Sequence, residues 1–476
     1  MRLHALLAGM GYQGPEPEDV EIKGISYDTR TLQPGELFVA LRGYKTDGHR
    51  YIKEARQKGA AAIVGEVGEG VLIVPESRSA LAALSANWFG HPAEELTVIG
   101  VTGTNGKTTT TSLLWGMLQE ALGTKVGLLG TNENRVGEKI FPAERTTPES
   151  YEVQRWLRQM ADEGCTHVVM EVSSHALCLH RVDGIRFAVG AFTNLTQDHL
   201  DFHKTMEAYQ AAKGRLFAQS ERAVINLDDE AGRYYARTAP CPVFTYSERK
   251  DEADMTAKNL RLFPARVEFE AVTREEIARV RLGIPGGFSV YNALCALACA
   301  YVLKIPLDRT AQALAHAPGV KGRMEVVPVP GPGTVLIDYA HTPDALENAL
   351  TALREFTPGR LICLFGCGGD RDRSKRHVMG AIAASLADFC IVTSDNPRTE
   401  KPQAIIDDIL EGMADFDVPK LVEPDREKAI QAGVKMLKVG DTLLLAGKGH
   451  ETYQEVNGVK RHLDEREEVQ KERFSG

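Results

Sequence analysis

The sequence predicts an α/β protein of three domains, the central one built on a mostly parallel sheet around a phosphate-binding loop. Three observations predict it. The 476 residues exceed the about 250–300 that one hydrophobic core organises. From Leu96 onward short apolar β-runs alternate with glycine loops and helical stretches, and near Arg323 a second series of the same kind begins. With 43% hydrophobic and 25% charged residues, the composition is that of an ordinary globular chain rather than a disordered or fibrous one.

Residues 1–94 carry the strand-like runs GELFVAL, AAAIVGE and GVLIVPE with a helical stretch from His49 to Lys58, and close at the turn-like pair His91-Pro92. They form a small N-terminal α/β domain. Residues 95–322 open with LTVIGV, TGTNGKTTT and the helical TSLLWGMLQEAL, followed by KVGLL, HVVMEV, AVGAFTN and RAVINLD, which read as buried strands joined by crossovers. In residues 323–476 the strands VLIDYA, RLICLFG, FCIVTS and TLLLAG alternate with helices such as PDALENALTALREF, which predicts a Rossmann-like α/β domain. Three of these strands run directly into polar or glycine-rich loops, where open α/β sheets bind ligands.

The net charge of −9 and the lack of any basic tract argue against nucleic-acid binding. The N-terminus MRLHALLAGMGYQG has no export-signal pattern, so a cytoplasmic location is expected. The longest apolar run, Ala293 to Leu303, is well short of the ~20 residues of a membrane span and reads as a buried helix. Eight cysteines are scattered without metal-site spacing and are expected to pack in cores.

Gly103-Thr104-Asn105-Gly106-Lys107-Thr108-Thr109 follows a β-run and opens a helix, which sets backbone N–H groups and a positive helix end against a phosphate. Lys107 would neutralise β/γ-phosphate charge and Thr108 would present its hydroxyl to Mg²⁺. Two residues, not four, separate the glycines, a departure from the usual G-x-x-x-x-G-K-[ST]. The loop implies ATP without naming the reaction, since a kinase, an ATPase or a ligase could use it. Glu171 ends HVVMEV and is followed by Ser173, Ser174 and His175, which makes it a Mg²⁺ candidate. The stretch Thr193 to Asp201 crowds Asp198, His199 and Asp201 where a further metal could sit.

These segments, together with MEVSSHAL, FTNLTQDHLDFH, YQAAKGRLF, GRME, DYAHTPD, GCGGDRD, DNPR and GKGHE, resemble the Mur ligases, ATP-dependent amide-forming enzymes of peptidoglycan assembly, over essentially the whole chain. YDTRTLQPGELFVAL, DNPRTE and GKGHE point to the branch that makes the UDP-MurNAc-tripeptide. The resemblance implies Thr29, Tyr44 and Lys45 for the UDP part of UDP-N-acetylmuramoyl-L-alanyl-D-glutamate. It implies Thr146, Thr147, Ser173 and Arg181 for the muramoyl-dipeptide, with Leu179 standing where some relatives have a polar Gln. Asn292, Arg323, Asp338 and His341 are implied for the ATP purine and ribose. For meso-diaminopimelate it implies Arg371, Asp395, Asn396, Arg398, Gly447 and Glu451. Catalysis would rest on Lys107, Glu171, His199 and Lys213. Lys213 would be carbamylated by CO₂ and would join Thr108, Glu171 and His199 around Mg²⁺.

The implied reaction phosphorylates a carboxylate that would otherwise repel an amine, then exchanges phosphate for the amine. The C-terminal domain must then bring its amino acid to the phosphate loop, which makes domain closure a requirement. The chain is expected to act as a monomer. A folylpolyglutamate synthetase shares the ATP machinery but leaves the first domain and DNPR without a purpose. A non-catalytic nucleotide-binding regulator would not need Lys107, Glu171, His199 and Lys213 together.

Overall fold

The computed structural model describes residues 1–471 apart from Pro15, Tyr44, Lys45, Pro318 and Pro330, and the side chain of Asp201 is also left aside. The chain divides into two compact units, one of Met1–Tyr246 with Ala298–Lys304 and the other of Ser247–Leu297 with the residues from Ile305 onward.

In the first unit, β1 (Ile25–Ser26), β2 (Leu37–Val39), β3 (Ala62–Gly65) and β4 (Leu72–Ile73) form a parallel sheet in that order. Leu3, Leu6, Ile25, Leu37, Val39, Leu81 and Leu84 share its core. The 13-residue helix Ser77–Phe89 lies beyond what the sequence patterning predicts. Its start is fixed by the Glu76 carboxylate, which accepts from the N–H groups of Arg78 and Ser79, and its end by Gly90 in the left-handed conformation.

The larger sheet of this unit contains β5 (Thr97–Thr102), β6 (Lys125–Leu129), β7 (Glu133–Val136), β8 (Lys139–Pro142), β9 (Cys165–Glu171), β10 (Val189–Phe192), β11 (Ala223–Asn226) and β12 (Val243–Ser247). Its order is β12-β11-β10-β5-β9-β6-β7-β8. The strands from β12 to β6 are parallel, while β7 and β8 form a hairpin on the β6 edge. The chain runs from β5 to β6 on one side and later places β10 on the other, so β5 lies at the topological switch, where the carboxyl ends of parallel strands leave room for a ligand.

In the second unit, β13 (Met255–Phe263), β14 (Arg266–Thr273) and β15 (Ile277–Leu282) form an antiparallel meander. The buried Val267, Phe269 and Ala271 alternate with charged neighbours, the period-2 pattern of a half-buried strand. A second sheet holds β16 (Glu325–Val327), β17 (Thr334–Asp338), β18 (Leu361–Phe365), β19 (Phe389–Val392), β20 (Lys420–Val422) and β21 (Thr442–Ala446) in the order β16-β17-β21-β18-β19-β20. Only the β16 pairing is antiparallel. The loops after β17, β18, β19 and β21 therefore emerge on one edge. A short hairpin, β22 (Tyr453–Val456) and β23 (Val459–His462), follows.

The apolar run from Ala293 lies in the helix Gly287–Val302 and is buried through Ala300. Among the described residues no helix is long and apolar enough to cross a membrane. Six of the eight cysteines are buried, and all eight are free thiols.

Gly322 has φ 72°, and a Cβ there would stand 2.1 Å from the backbone N of His450. Gly322→Ala should therefore cost about 2 kcal/mol or more, because strained backbone and a backbone clash add. Urea unfolding checks this, and an unchanged midpoint would contradict it.

Candidate functional site

In the first unit the chain leaves β5 through a loop that only glycines permit. Gly103 and Gly106 have φ of 151° and 83°, and a Cβ on Gly103 would lie 1.9 Å from Thr193 Oγ1. The helix begins at Lys107, which turns the N–H groups of its first turn toward the loop. The segment after β10 fastens it. Asn194 O accepts from Thr104 N at 2.8 Å, Asn194 Oδ1 accepts from Asn105 N at 2.9 Å, and Thr193 Oγ1 donates to Asn105 O at 2.6 Å. Lys107 Nζ donates to the carbonyls of Gly103 and Thr104 at 2.9 and 2.8 Å. Thr109 is buried in the first helical turn.

Glu171, fully buried at the end of β9, accepts from Thr108 Oγ1 at 3.0 Å, Thr131 N at 2.7 Å and Thr131 Oγ1 at 3.0 Å. Thr108 and Glu171 are thus brought together as two hard oxygen donors beside a phosphate loop. This pair suits Mg²⁺, which keeps several positions for water and phosphate. No three His, Cys, Asp or Glu side chains converge on one point among the described residues.

His199, at φ 53°, stands in an aromatic cluster. Its ring lies 4.8 Å from that of His175 and 6.1 Å from that of Tyr209, and its Nε2 is 3.4 Å from Asp198 Oδ2. His203 joins the cluster and contacts Ser174 Oγ at 2.9 Å.

Lys213, only 1% exposed, donates to Gly103 O at 2.7 Å and lies 4.4 Å from the centre of the Tyr209 ring. Burial, reinforced by the neighbouring Lys107 charge and opposed by Asp198, holds its amine well below the usual lysine range. The side chain that looks like an ordinary surface lysine in the sequence is a buried amine at the phosphate loop.

Behind Glu171, Thr147 Oγ1 donates to Glu171 O at 2.8 Å and lies 3.3 Å from Ser173 Oγ. Arg181 Nη1 donates to Thr147 O at 3.1 Å. Thr146 Oγ1 lies 3.1 Å from Thr131 Oγ1, and Leu179 caps the helix Ser174–Cys178. Glu149, which the motif reading passed over, is buried between Arg78, Arg181 and Arg145 at 3.3, 3.3 and 3.7 Å. Thr29 is buried in the turn after β1. Tyr44 and Lys45 lie outside the described residues.

The second unit carries the other expected residues, all but Asn292 along one sheet edge. Asp338 ends β17 and accepts from Met324 N at 2.8 Å. Burial pushes its carboxyl up while the Arg323 guanidinium opposes the rise. Arg323 sits 5.3 Å from the Tyr339 ring, which also meets His341 at 4.6 Å and His450 at 5.1 Å. Asn292 is buried on the helix Gly287–Val302.

After β18, β19 and β21, three loops meet. Asn396 O accepts from Gly369 N at 2.9 Å, and Asn396 Nδ2 donates to Glu451 Oε2 at 2.9 Å. Arg398 has φ 51°, donates to Gly369 O at 2.8 Å and lies 3.6 Å from Glu455. A Cβ on Gly368 would fall 3.1 Å from Arg398 Nη1 and 3.7 Å from Arg371 Cγ, so both arginines flank that glycine. Gly447, at φ 113°, passes Asp395 so closely that its own Cβ would be 3.2 Å from Asp395 Oδ2.

Between the loops sits Lys448, fully buried, with Nζ 3.2 Å from Asn396 Oδ1, 3.2 Å from Glu451 Oε2 and 3.6 Å from Asp395 Oδ1. The motif reading used Gly447 and Glu451 but not this lysine. Its position between two glycines is the one sequence signal that could have marked it.

Three family models match in order: "Mur ligase family, catalytic domain" over 21–88, "Mur ligase middle domain" over 101–300 and "Mur ligase, glutamate ligase domain" over 322–449. The UDP-N-acetylmuramoyl-L-alanyl-D-glutamate--2,6-diaminopimelate ligase of Caldanaerobacter subterraneus subsp. tengcongensis is 44% identical, over 98% of both chains. The protein of the same name from Clostridium botulinum is 44% identical over 99% of both. A solved structure of a protein of that name superposes with a TM-score of 0.73 at 33% identity, over 94% of each chain. A phosphate loop with its buried acid and amine, three converging loops and this likeness along the full length lead to one conclusion: the chain belongs to the Mur ligase family.

Proposed function

We propose that the protein joins meso-diaminopimelate to the D-Glu carboxylate of UDP-N-acetylmuramoyl-L-alanyl-D-glutamate, converting ATP to ADP and phosphate, in cytoplasmic peptidoglycan precursor synthesis. The observation that carries this reading is the meeting of three loops at the carboxyl edge of one sheet, where Arg398 reaches Gly369 of the first and Asn396, on the same loop as Arg398, reaches Glu451 of the third. Cations beside a carboxylate are what a doubly zwitterionic amino acid needs, and this supports the reading. The order of the matched family segments supports a substrate domain at 1–94, an ATP domain at 95–322 and an amino-acid domain at 323–476.

ATP and Mg²⁺ serve the family, and Mg²⁺, held by Thr108 and Glu171, would screen charge on the phosphates. Lys107 exchanges its carbonyl partners for γ-phosphate oxygens and stabilises charge as the substrate carboxylate attacks phosphorus. The products of this step are an acyl phosphate and ADP. The free amine of diaminopimelate then attacks the acyl carbon, phosphate leaves, and the amine proton passes to solvent. Arg181 and Ser173 orient the dipeptide, and Thr29, Tyr44 and Lys45 the UDP part. Asn292, Arg323, Asp338 and His341 meet the purine and ribose. Lys213, carbamylated, becomes an anion beside the loop, and His199 assists in the same region. The carboxylate of diaminopimelate that lysine lacks meets Arg398 and Arg371, while Glu451 and the Gly447 backbone take the distal ammonium.

Once the bound amino acid covers the partly exposed Arg398 and the exposed Arg371, leaving them without the carboxylate costs about 3–5 kcal/mol, which is more than a hundredfold in rate. Turnover with diaminopimelate should therefore exceed that with L-lysine by at least that factor. Arg398→Ala should lose the diaminopimelate reaction with ATP binding unchanged. Equal use of lysine by the wild type overturns the assignment.

A further inference from the structure

Arg426 opens the helix Arg426–Lys435 and is completely buried. Its Nη1 donates to Ser394 O at 3.1 Å and its Nη2 to Ala446 O at 2.9 Å. Ser394 precedes the loop of Asp395 and Arg398, and Ala446 precedes the loop of Gly447 and Glu451. These carbonyls leave β19 and β21, two strands that do not touch because β18 lies between them. One rigid guanidinium thus spans the end of an intervening strand and ties together the bases of two loops.

The counter-charge is Glu465, equally buried, whose Oε1 lies 2.7 Å from Arg426 Nη2 and accepts from Nε at 2.9 Å. Its Oε2 has no hydrogen-bond partner. A buried ion pair with an unsatisfied oxygen is a poor source of stability compared with apolar side chains of the same volume, so its geometric effect is the better account of it. The neighbouring contacts have the same effect. Arg466 Nη2 donates to Gly449 O at 3.2 Å, and Gln454 Nε2 donates to Asp395 O at 2.7 Å and to Ser394 Oγ at 2.9 Å. Lys448 closes the gap at the loop tips while Arg426 sets it at their roots.

We infer that Arg426, held by Glu465, is a positioning residue for the amino-acid subsite. It fixes the separation of the Asp395–Arg398 and Gly447–Glu451 loops and thereby the selection of an amino acid with a distal carboxylate. The inference rests on the reading of these loops given above.

The test measures separate KM values for diaminopimelate, ATP and the UDP-linked substrate, with thermal melting, in the full-length enzyme and three variants. Arg426→Met/Glu465→Leu removes both charges together, which leaves no unpaired buried charge but takes the donor from the Ser394 and Ala446 carbonyls, so it should stay folded with a modestly lowered melting temperature. Its KM for diaminopimelate should rise about tenfold to a hundredfold, the scale of a 1 Å misplacement, with the other two KM values unchanged and lysine discrimination reduced. Arg426→Lys, which keeps the charge but loses the two-pronged reach, should fall between. Glu465→Gln should shift the same KM more weakly.

A wild-type KM for diaminopimelate in the double variant overturns the inference, as does a parallel rise of all three KM values or a lower melting temperature as its only change. Failure of the underlying reading is separate and shows in the wild type as a preference for another amino acid. In that case the same KM comparison, made with the preferred amino acid, still decides the role of Arg426.

Discussion

Lys213→Ala is expected to lower turnover by roughly 10²–10³-fold, the loss typical when one preorganised electrostatic group is removed from a reacting centre. The Lys213 amine is buried beside Lys107, and burial together with that like charge disfavours protonation. A neutral amine can attack CO₂, forming an N–C bond and releasing a proton, and the product carries a carboxylate-like negative charge where an ammonium would repel a cation. The variant lacks that anion, so acetate or formate, diffusing to the vacated space, should restore part of the rate. The wild type should show a carbamate resonance after exposure to ¹³C-labelled CO₂. Near-normal turnover in Lys213→Ala, or no response to CO₂ depletion in the wild type, would falsify the role.

Lys107→Ala should reduce ligation by roughly a thousandfold, since in the proposed reaction the lysine supplies the phosphate loop's formal charge for the transferring group. Stability should change little. The side chain is only part-buried and donates to two carbonyls of its own loop. Circular dichroism melting with a phosphate-release assay separates the two effects. Substantial turnover with an intact fold would place the phosphate chemistry elsewhere. A large fall in melting temperature would show that Lys107 acts mainly as a fastener of the loop.

What the sequence made legible was what is contiguous. The phosphate loop, its strand and its helix occupy neighbouring positions, so spacing alone outlines the chemistry, and Gly103, Lys107 and Thr108 stand where that spacing puts them. The buried strands of the two larger parallel sheets were visible as unbroken apolar runs. The β13–β15 meander was not, because charged residues interrupt each strand: Lys258 and Arg261 in β13, Arg266, Glu268 and Glu270 in β14, and Arg279 and Arg281 in β15. The helix Ser77–Phe89 is apolar on several sides and lacks a clean stripe. Residues whose meaning comes from distant partners were invisible in principle. Arg426 draws on Ser394, Ala446 and Glu465, and Glu149 on Arg78, Arg145 and Arg181. Lys213 depended wholly on the family resemblance, since nothing in YQAAKGRLF predicts burial of its amine.

The cations of these sites share a resting habit. Lys107 donates to Gly103 O, Arg181 to Thr147 O and Arg398 to Gly369 O, so each head group is parked on a backbone carbonyl. An arriving anion must displace that carbonyl, and the exchange favours a ligand only to the extent that a formal charge is a better acceptor than a peptide dipole. A neutral analogue of the same shape would trade like for like and gain almost nothing. The parked carbonyls therefore work as a toll that only charged groups can meet. Amides or esters in place of the phosphates and carboxylates should bind poorly even where they fit.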